Sequence, residues 1–331
     1  MTAPLLDVQG LEISLNAGDA ARPLVHDLSF RIEAGEALCL VGESGSGKSV
    51  TALALMGLLD PKKLRPTAGR AMFEGQDLLA LPPDRMRALR GHRIAMVFQE
   101  PMSALNPVQR IGDQIAETIR EHRGTSARDA ERQAVDLLDL VQVPDAKRRA
   151  REYPHQLSGG MRQRVMIAMA VALRPSLLIA DEPTTALDVT IQAQVLSLID
   201  DLRRELGTAV LLITHDLGVV AEIADRVLVL YAGRAVEQAP VATLFDAPEH
   251  PYTAALIQSI RHLQTFAEGD RLIEIPGGMP APGRMVDGCA FAERCAYALP
   301  DCGTRLPEFR RRAPEHFAAC WRTPPFGGTG K

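Results

Sequence analysis

The chain lacks any apolar stretch of the roughly 18–20 residues needed to span a bilayer. Its longest apolar run, residues 165–173, falls well short. It also lacks a basic region followed by an apolar one at its start, so no secretory signal is expected. A soluble, cytoplasmic protein is the expectation, and any membrane role then needs a partner that does the spanning. There is no excess of positive charge: 37 Lys and Arg stand against 41 Asp and Glu, a net charge of −4. That speaks against a nucleic-acid partner, because such domains are usually basic. No internal repeat and no low-complexity tract is present. Cysteine is sparse, with 5 in 331 residues, and unevenly placed. Cys39 stands alone in an apolar stretch. Cys289, Cys295, Cys302 and Cys320 gather near the C-terminus, where a cluster in a cytosolic chain favours metal binding over disulfides.

What remains is an ordinary globular mixture, 46% hydrophobic and 24% charged. The length suits one large or two modest domains. Residues 5–41 read as strands separated by turns, the last of them the apolar run Leu38-Cys39-Leu40-Val41. Residues 49–59 read as a helix that stops at Asp60-Pro61. Residues 107–174 carry charged and apolar positions at helical spacing and read as a helical insertion. The apolar runs 177–180 and 209–214 flank a helical pattern at 191–206. Strand, helix and strand at this spacing argue a parallel α/β sheet. A further strand at 226–231 precedes the turn Ala232-Gly233-Arg234. Beyond Pro240 repeated prolines break regular elements, which reads as a separate C-terminal appendage.

Two motifs carry chemistry. Gly42-Glu43-Ser44-Gly45-Ser46-Gly47-Lys48-Ser49, followed by Val50, matches G-x-x-x-x-G-K-[ST] between an apolar run and a helix. Glycines let the backbone curl so that successive N–H groups face one anion. Lys48 is expected to reach the β- and γ-phosphates and the Ser49 hydroxyl to ligate Mg²⁺. Leu177-Leu178-Ile179-Ala180-Asp181-Glu182 is a buried strand ending in two acids. Asp181 is expected to hold Mg²⁺, usually through water, and Glu182 to be the general base that polarises an attacking water.

P-loops serve many enzymes; Leu157-Ser158-Gly159-Gly160-Met161-Arg162-Gln163-Arg164 separates them. It resembles the signature of ABC ATPases, with methionine where glutamine is more usual. The family binds two ATPs between two head-to-tail nucleotide domains. The resemblance thus implies that residues 157–161 cover a γ-phosphate held by the partner's P-loop. Ser158 and glycine N–H groups at a helix start suit such an anion. Gln99, in Val97-Phe98-Gln99-Glu100-Pro101, resembles the Q-loop glutamine that senses Mg²⁺ and the attacking water. Mg²⁺ is thereby assigned to Ser49, Gln99 and Asp181. Thr185-Ala186-Leu187-Asp188 resembles the D-loop, and His215 the switch histidine at the γ-phosphate. One element departs from the family: no aromatic stands near Leu15 to stack on adenine, leaving Leu15 or Val25 as apolar substitutes.

The resemblance narrows further. Gln99-Glu100-Pro101-Met102-Ser103-Ala104-Leu105-Asn106-Pro107 and His250-Pro251-Tyr252-Thr253-Ala254-Ala255-Leu256 are similar to stretches of the oligopeptide, dipeptide and nickel importer ATPases. So are Ile275-Pro276-Gly277-Gly278-Met279-Pro280 and the segment with Cys289, Cys295 and Cys302. The resemblance implies an α/β fold at 1–248: a P-loop NTPase nucleotide-binding domain with a RecA-like parallel core, an antiparallel β subdomain and the helical insertion. A small cysteine-containing extension follows at 249–331. It also implies an ATPase at the cytoplasmic face of the membrane, with two permease subunits and a second ATPase as partners. A solute-binding protein outside would be an indirect one. The imported solute is a peptide or, alternatively, nickel or another small solute. A non-transport ABC ATPase and a regulator that binds ATP without turnover are rival readings. The four tail cysteines could hold Zn²⁺ or an iron–sulfur cluster, or stand as plain thiols. Members of the resembled group carry a [4Fe–4S] cluster there. Cys39 reads as a small core residue, and Arg310-Arg311-Arg312 as a solvated face.

Overall fold

The computed structural model describes residues 3–17, 20–185, 187–264, 275–281, 283–284, 286–324 and 326; Ala186, in the D-loop string, lies outside them. Strands β1 (Leu6–Ala17), β2 (Ala20–Ile32) and β3 (Ala37–Val41) lead into helix α1 (Lys48–Leu55). Then come β4 (Leu64–Phe73), β5 (Gln76–Asp77), α2 (Pro83–Leu89) and β6 (Ile94–Val97). Helices α3 (Pro101–Ala104), α4 (Ile111–Arg123), α5 (Ala127–Leu140), α6 (Ala146–Arg149) and α7 (Gly159–Val171) follow. The chain continues through β7 (Leu177–Asp181), α8 (Val189–Leu206), β8 (Ala209–Thr214), α9 (Leu217–Ile223), β9 (Arg226–Tyr231) and β10 (Arg234–Pro240). It ends with α10 (Val241–Asp246), α11 (Pro251–Gln264), β11 (Arg310–Ala313) and β12 (His316–Ala318). Two compact units result. One holds Met1–Leu5, Ile32–Ala37 and Leu81–Ile213; the other holds Leu6–Arg31, Leu38–Ala80 and Thr214–Lys331.

In the first unit β6, β7 and β8 form a parallel ladder, Ile94 opposite Leu177 and Leu177 opposite Ala209. All three strands are buried along the part that pairs, as near-continuous apolar runs of a parallel sheet require. The helical stretch expected at 107–174 is built as α4 to α7. Ser126 caps α5 by accepting the Asp129 N–H, and Gly124 ends α4 in the left-handed conformation at φ 61°. The longest apolar run of the sequence, 165–173, fills the second half of α7 and runs just past it, and the α7 residues from Gln163 to Ala168 are all buried. Among the described residues no helix is long and apolar enough to cross a membrane.

In the second unit β1 and β4 pair antiparallel, β3 and β9 pair parallel, and β10 runs antiparallel to β9. Every residue of β3 is buried, Cys39 included; burial pushes its thiol far up, so it is a neutral core group. The chain beyond Pro240 returns to this sheet, since β12 pairs antiparallel with β10 and β11 with β12. The junction is polar and largely buried. The Glu237 carboxylate accepts the N–H groups of Glu249 (2.6 Å) and His250 (2.9 Å) and the Nε2 of His316 (2.8 Å). Burial pushes His250 down to about 3, so it is neutral, and its Nδ1 accepts the Tyr252 N–H at 3.1 Å.

Candidate functional site

The phosphate-binding loop begins where β3 ends. Its glycines meet steric demands that no other residue could. A Cβ on Gly42 (φ 153°) would stand 2.2 Å from the Leu230 carbonyl oxygen. Gly47 (φ 100°), in a backbone conformation that strains any L side chain, would bring a Cβ to a tight 3.0 Å from Val25 Cγ2, and it opens α1. Lys48 Nζ donates to the Gly42 (2.7 Å) and Glu43 (3.0 Å) carbonyls, so the lysine lies within the curl of the loop. Gly233 N–H donates to the Ser46 carbonyl at 3.0 Å, tying the loop to the turn after β9. The Ser46 hydroxyl is buried with no protein partner among the described residues. Ser44 and Gly45 are exposed at the tip, and Ser49 and Val50 are half-buried. Val25 is fully buried, whereas Leu15 is half-buried opposite Leu64 in the β1–β4 ladder. Only Leu15 of the two suggested adenine contacts is therefore open to solvent.

The acids sit in the other unit. Asp181 ends β7 and is 6% exposed. Glu182 follows at φ 44°, left-handed for a non-glycine residue, with its N–H donated to the Ile213 carbonyl at 2.9 Å. Its carboxylate accepts Gln99 Nε2 at 3.1 Å and Thr185 Oγ1 at 3.0 Å. The pairing of β6 with β7 explains this meeting. Val97 lies opposite Ala180, so Gln99 and Glu182, each two residues on, leave the same C-terminal end of the parallel ladder. Sequence reasoning brought Gln99, Asp181 and Glu182 to one place; Thr185, read only as D-loop, joins them.

In the same unit Ser158 caps α7, its hydroxyl accepting the Met161 N–H at 3.4 Å. Leu157 is buried, Ser158 and Gly159 are exposed, and Gly160 and Met161 are half-buried. A Cβ on Gly159 would meet Leu187 at 3.6 Å, an ordinary contact. One on Gly160 would stand 2.7 Å from Ile191 Cγ2. Gly160 therefore sets how closely α7 approaches α8. Asp188 caps α8 by accepting the Ile191 N–H at 2.9 Å. In the second unit His215 is exposed after β8, and Asp216 caps α9 through the Gly218 N–H at 2.8 Å.

The four tail cysteines line one recess with Phe291, Tyr297 and Trp321. A Cβ on Gly288 would lie 2.2 Å from the Cys302 carbonyl, so glycine permits the crossing that brings Cys289 to Cys302. Each sulfur accepts a backbone N–H: Cys289 from Phe291, Cys295 from Tyr297, Cys320 from Arg322 and Cys302 from Leu299. Burial raises the Cys289 thiol to about 11 and also raises Cys295 and Cys320. Among the described residues no three His, Cys, Asp or Glu groups stand close enough to hold a metal ion. Arg312 departs from its expected solvated role. Its side chain is 9% exposed and donates to the Cys320 carbonyl, while Arg310 and Arg311 are the exposed pair. Two further residues of the phosphate loop's surroundings carried no sequence signal of their role. Tyr252 and Arg294 both reach Glu43, although each stood in a stretch noted only for its resemblance.

Comparison with known proteins agrees with these motifs. The family profile described as "ABC transporter" matches residues 25–185, and that described as "Oligopeptide/dipeptide transporter, C-terminal region" matches residues 236–302. A Sinorhizobium fredii protein named "Probable peptide ABC transporter ATP-binding protein" is 50% identical over 319 residues, covering 96% of this chain and 95% of that protein. A Brucella melitensis protein named for peptide import and ATP binding is 50% identical over 328 residues, covering 96% and 97%. Among solved structures, a dimeric ATP-binding cassette in a post-hydrolysis state, bound to ADP and phosphate, is similar with TM-score 0.64 and 27% identity. It covers 71% of this chain and 98% of that one. Clostridium perfringens CbiO1, part of an ABC transporter complex, shares the fold at TM-score 0.64 and 24% identity, over 80% of this chain and 100% of that one.

Proposed function

This chain belongs to the ABC transporter ATP-binding family, and we propose that it is the ATP-hydrolysing subunit of a peptide importer. The observation that carries the reading is the pair of matched regions, the ATPase profile followed by the oligopeptide/dipeptide C-terminal profile in one chain. Relatives at 50% identity over nearly the whole length, named for peptide transport, support the same solute class. We read 1–248 as the nucleotide-binding domain and 249–331 as the transporter-type extension. Two permease subunits and a second ATPase are its partners. It works from the cytoplasmic face, and the solute-binding protein lies outside.

In this mechanism Gly42–Val50 wraps the phosphates with backbone N–H groups, and Lys48 turns from the loop carbonyls to the β- and γ-phosphates. Ser49, Asp181 and Gln99 are oxygen donors suited to Mg²⁺, which neutralises phosphate charge when bound. Glu182 orients and deprotonates the attacking water, with Gln99 and Thr185 holding its carboxylate in place. Residues 157–161, His215 and Asp188 complete the site across the ATPase pair. When the γ-phosphate leaves, the bridge between P-loop and opposite signature is lost and the domains part.

The four cysteines are assigned to a [4Fe–4S] cluster. The reading rests on the resemblance; the sulfurs share one recess and each accepts a backbone amide, but as they stand they are too far apart to ligate together and would have to draw in around the cluster. Ligation would displace the protons that burial otherwise retains on Cys289, Cys295 and Cys320. No step of ATP hydrolysis runs through this group.

The transport reading is tested in cells. Lys48→Ala, with the transporter otherwise intact, is expected to abolish uptake of labelled di- and oligopeptides while membrane levels of the subunits persist. Unchanged peptide uptake in that strain rejects the solute class.

A further inference from the structure

Arg294 lies one residue before Cys295, yet its guanidinium ends on the phosphate-binding loop. Nη1 donates to Glu43 Oε2 at 2.9 Å and to Tyr231 Oη at 3.3 Å. Nη2 donates to the Ile275 carbonyl at 3.1 Å and Nε to the Pro276 carbonyl at 2.9 Å. The side chain is 6% exposed and packs over the Tyr231 and Phe291 rings, 5.8 Å from each centroid. Glu43 is gripped a second time through its backbone, whose N–H donates to Tyr252 Oη at 2.9 Å. Tyr231, Tyr252 and Phe291 form one aromatic cluster, with Tyr231 edge-on to the other two at 4.7 and 5.2 Å. Met279, from the same stretch of tail, lies 3.1 Å from where a Gly45 Cβ would be.

The position of Glu43 makes this contact matter. A carboxylate on the second residue of a phosphate-binding loop repels the polyphosphate the loop is built to hold. We propose that Arg294 is a positioning residue for nucleotide binding: it neutralises Glu43, draws its side chain towards the tail, and so fixes the first turn of the loop. An exposed ion pair would do little here. This one is buried on the cation side and fixed by four acceptors, which a planar guanidinium satisfies and a lysine does not. The cysteine-bearing segment thereby sets nucleotide affinity through its own backbone and Arg294. The inference rests on the ATPase reading above.

Equilibrium binding of a fluorescent ATP analogue to the full chain tests it, using Arg294→Gln, Glu43→Gln and the double variant. Arg294→Gln is expected to weaken binding about tenfold. The double variant is expected to bind within about threefold of Glu43→Gln alone, because the unpaired carboxylate is gone. In the assembled transporter the same single change raises KM for ATP about tenfold and leaves kcat within about twofold. Wild-type affinity in Arg294→Gln, or a loss that persists undiminished in the double variant, overturns the proposal. Should Arg294→Gln fail to fold, Arg294→Met, which also removes the charge but keeps an apolar stem over the rings, carries the test with the same rescue by Glu43→Gln. Failure of the wild-type chain itself to bind the analogue would instead count against the ATPase reading.

Discussion

Glu182 is held at φ 44°, a conformation that costs a non-glycine residue of order 1 kcal/mol. From this position its carboxylate accepts from Gln99 and Thr185. Its acid identity and place at a strand end were legible in the sequence; the backbone strain and the Thr185 contact were not, because neither leaves a residue-type signal. Gly160 shows the reverse case. The signature resemblance assigned it to a partner's phosphate, and its packing against Ile191 adds a second reason for glycine. Gly160→Ala is expected to destabilise the fold by about 1–3 kcal/mol through forced separation of α7 and α8. Gly159→Ala, with only an ordinary contact to Leu187, is expected to cost less. Thermal denaturation of the two variants checks the order, and equal melting temperatures would contradict it.

Among elements, strands and long helices were the most legible. The runs at 209–214 and 226–231 became β8 and β9 at the same bounds. The first helix is shorter than the 49–59 pattern suggested, running Lys48–Leu55, because Met56 and Gly57 turn out of it before Asp60-Pro61 is reached. The tail was legible as proline-broken but not as part of a sheet. Its strands β11 and β12 are short, and Glu237, whose buried carboxylate receives His316, is distant in sequence. Cysteine spacing alone could not choose a ligand. Anaerobically purified protein is expected to be brown, with iron and acid-labile sulfide in about equal amounts. Serine in place of Cys289, Cys295, Cys302 or Cys320 is expected to remove both. Stoichiometric zinc, or colourless metal-free protein, would contradict the cluster.

For the whole molecule, the order of motifs carried more than composition did. The charge balance spoke only against nucleic acid, whereas P-loop, Q-loop, signature, acid pair, D-loop and switch histidine in sequence pointed to one machine. The solute was never legible in the site, since the roles proposed for these residues concern phosphate and water rather than cargo. The contacts of Tyr252 and Arg294 were illegible for another reason: they join residues about 200 and 250 positions apart. The most direct measurement is ATP turnover by the purified transporter carrying Glu182→Gln, with ATP binding followed in the same preparation. The account predicts that binding persists, that the two ATPases stay closed on ATP, and that turnover falls at least about a hundredfold. Undiminished turnover with Glu182→Gln would contradict it.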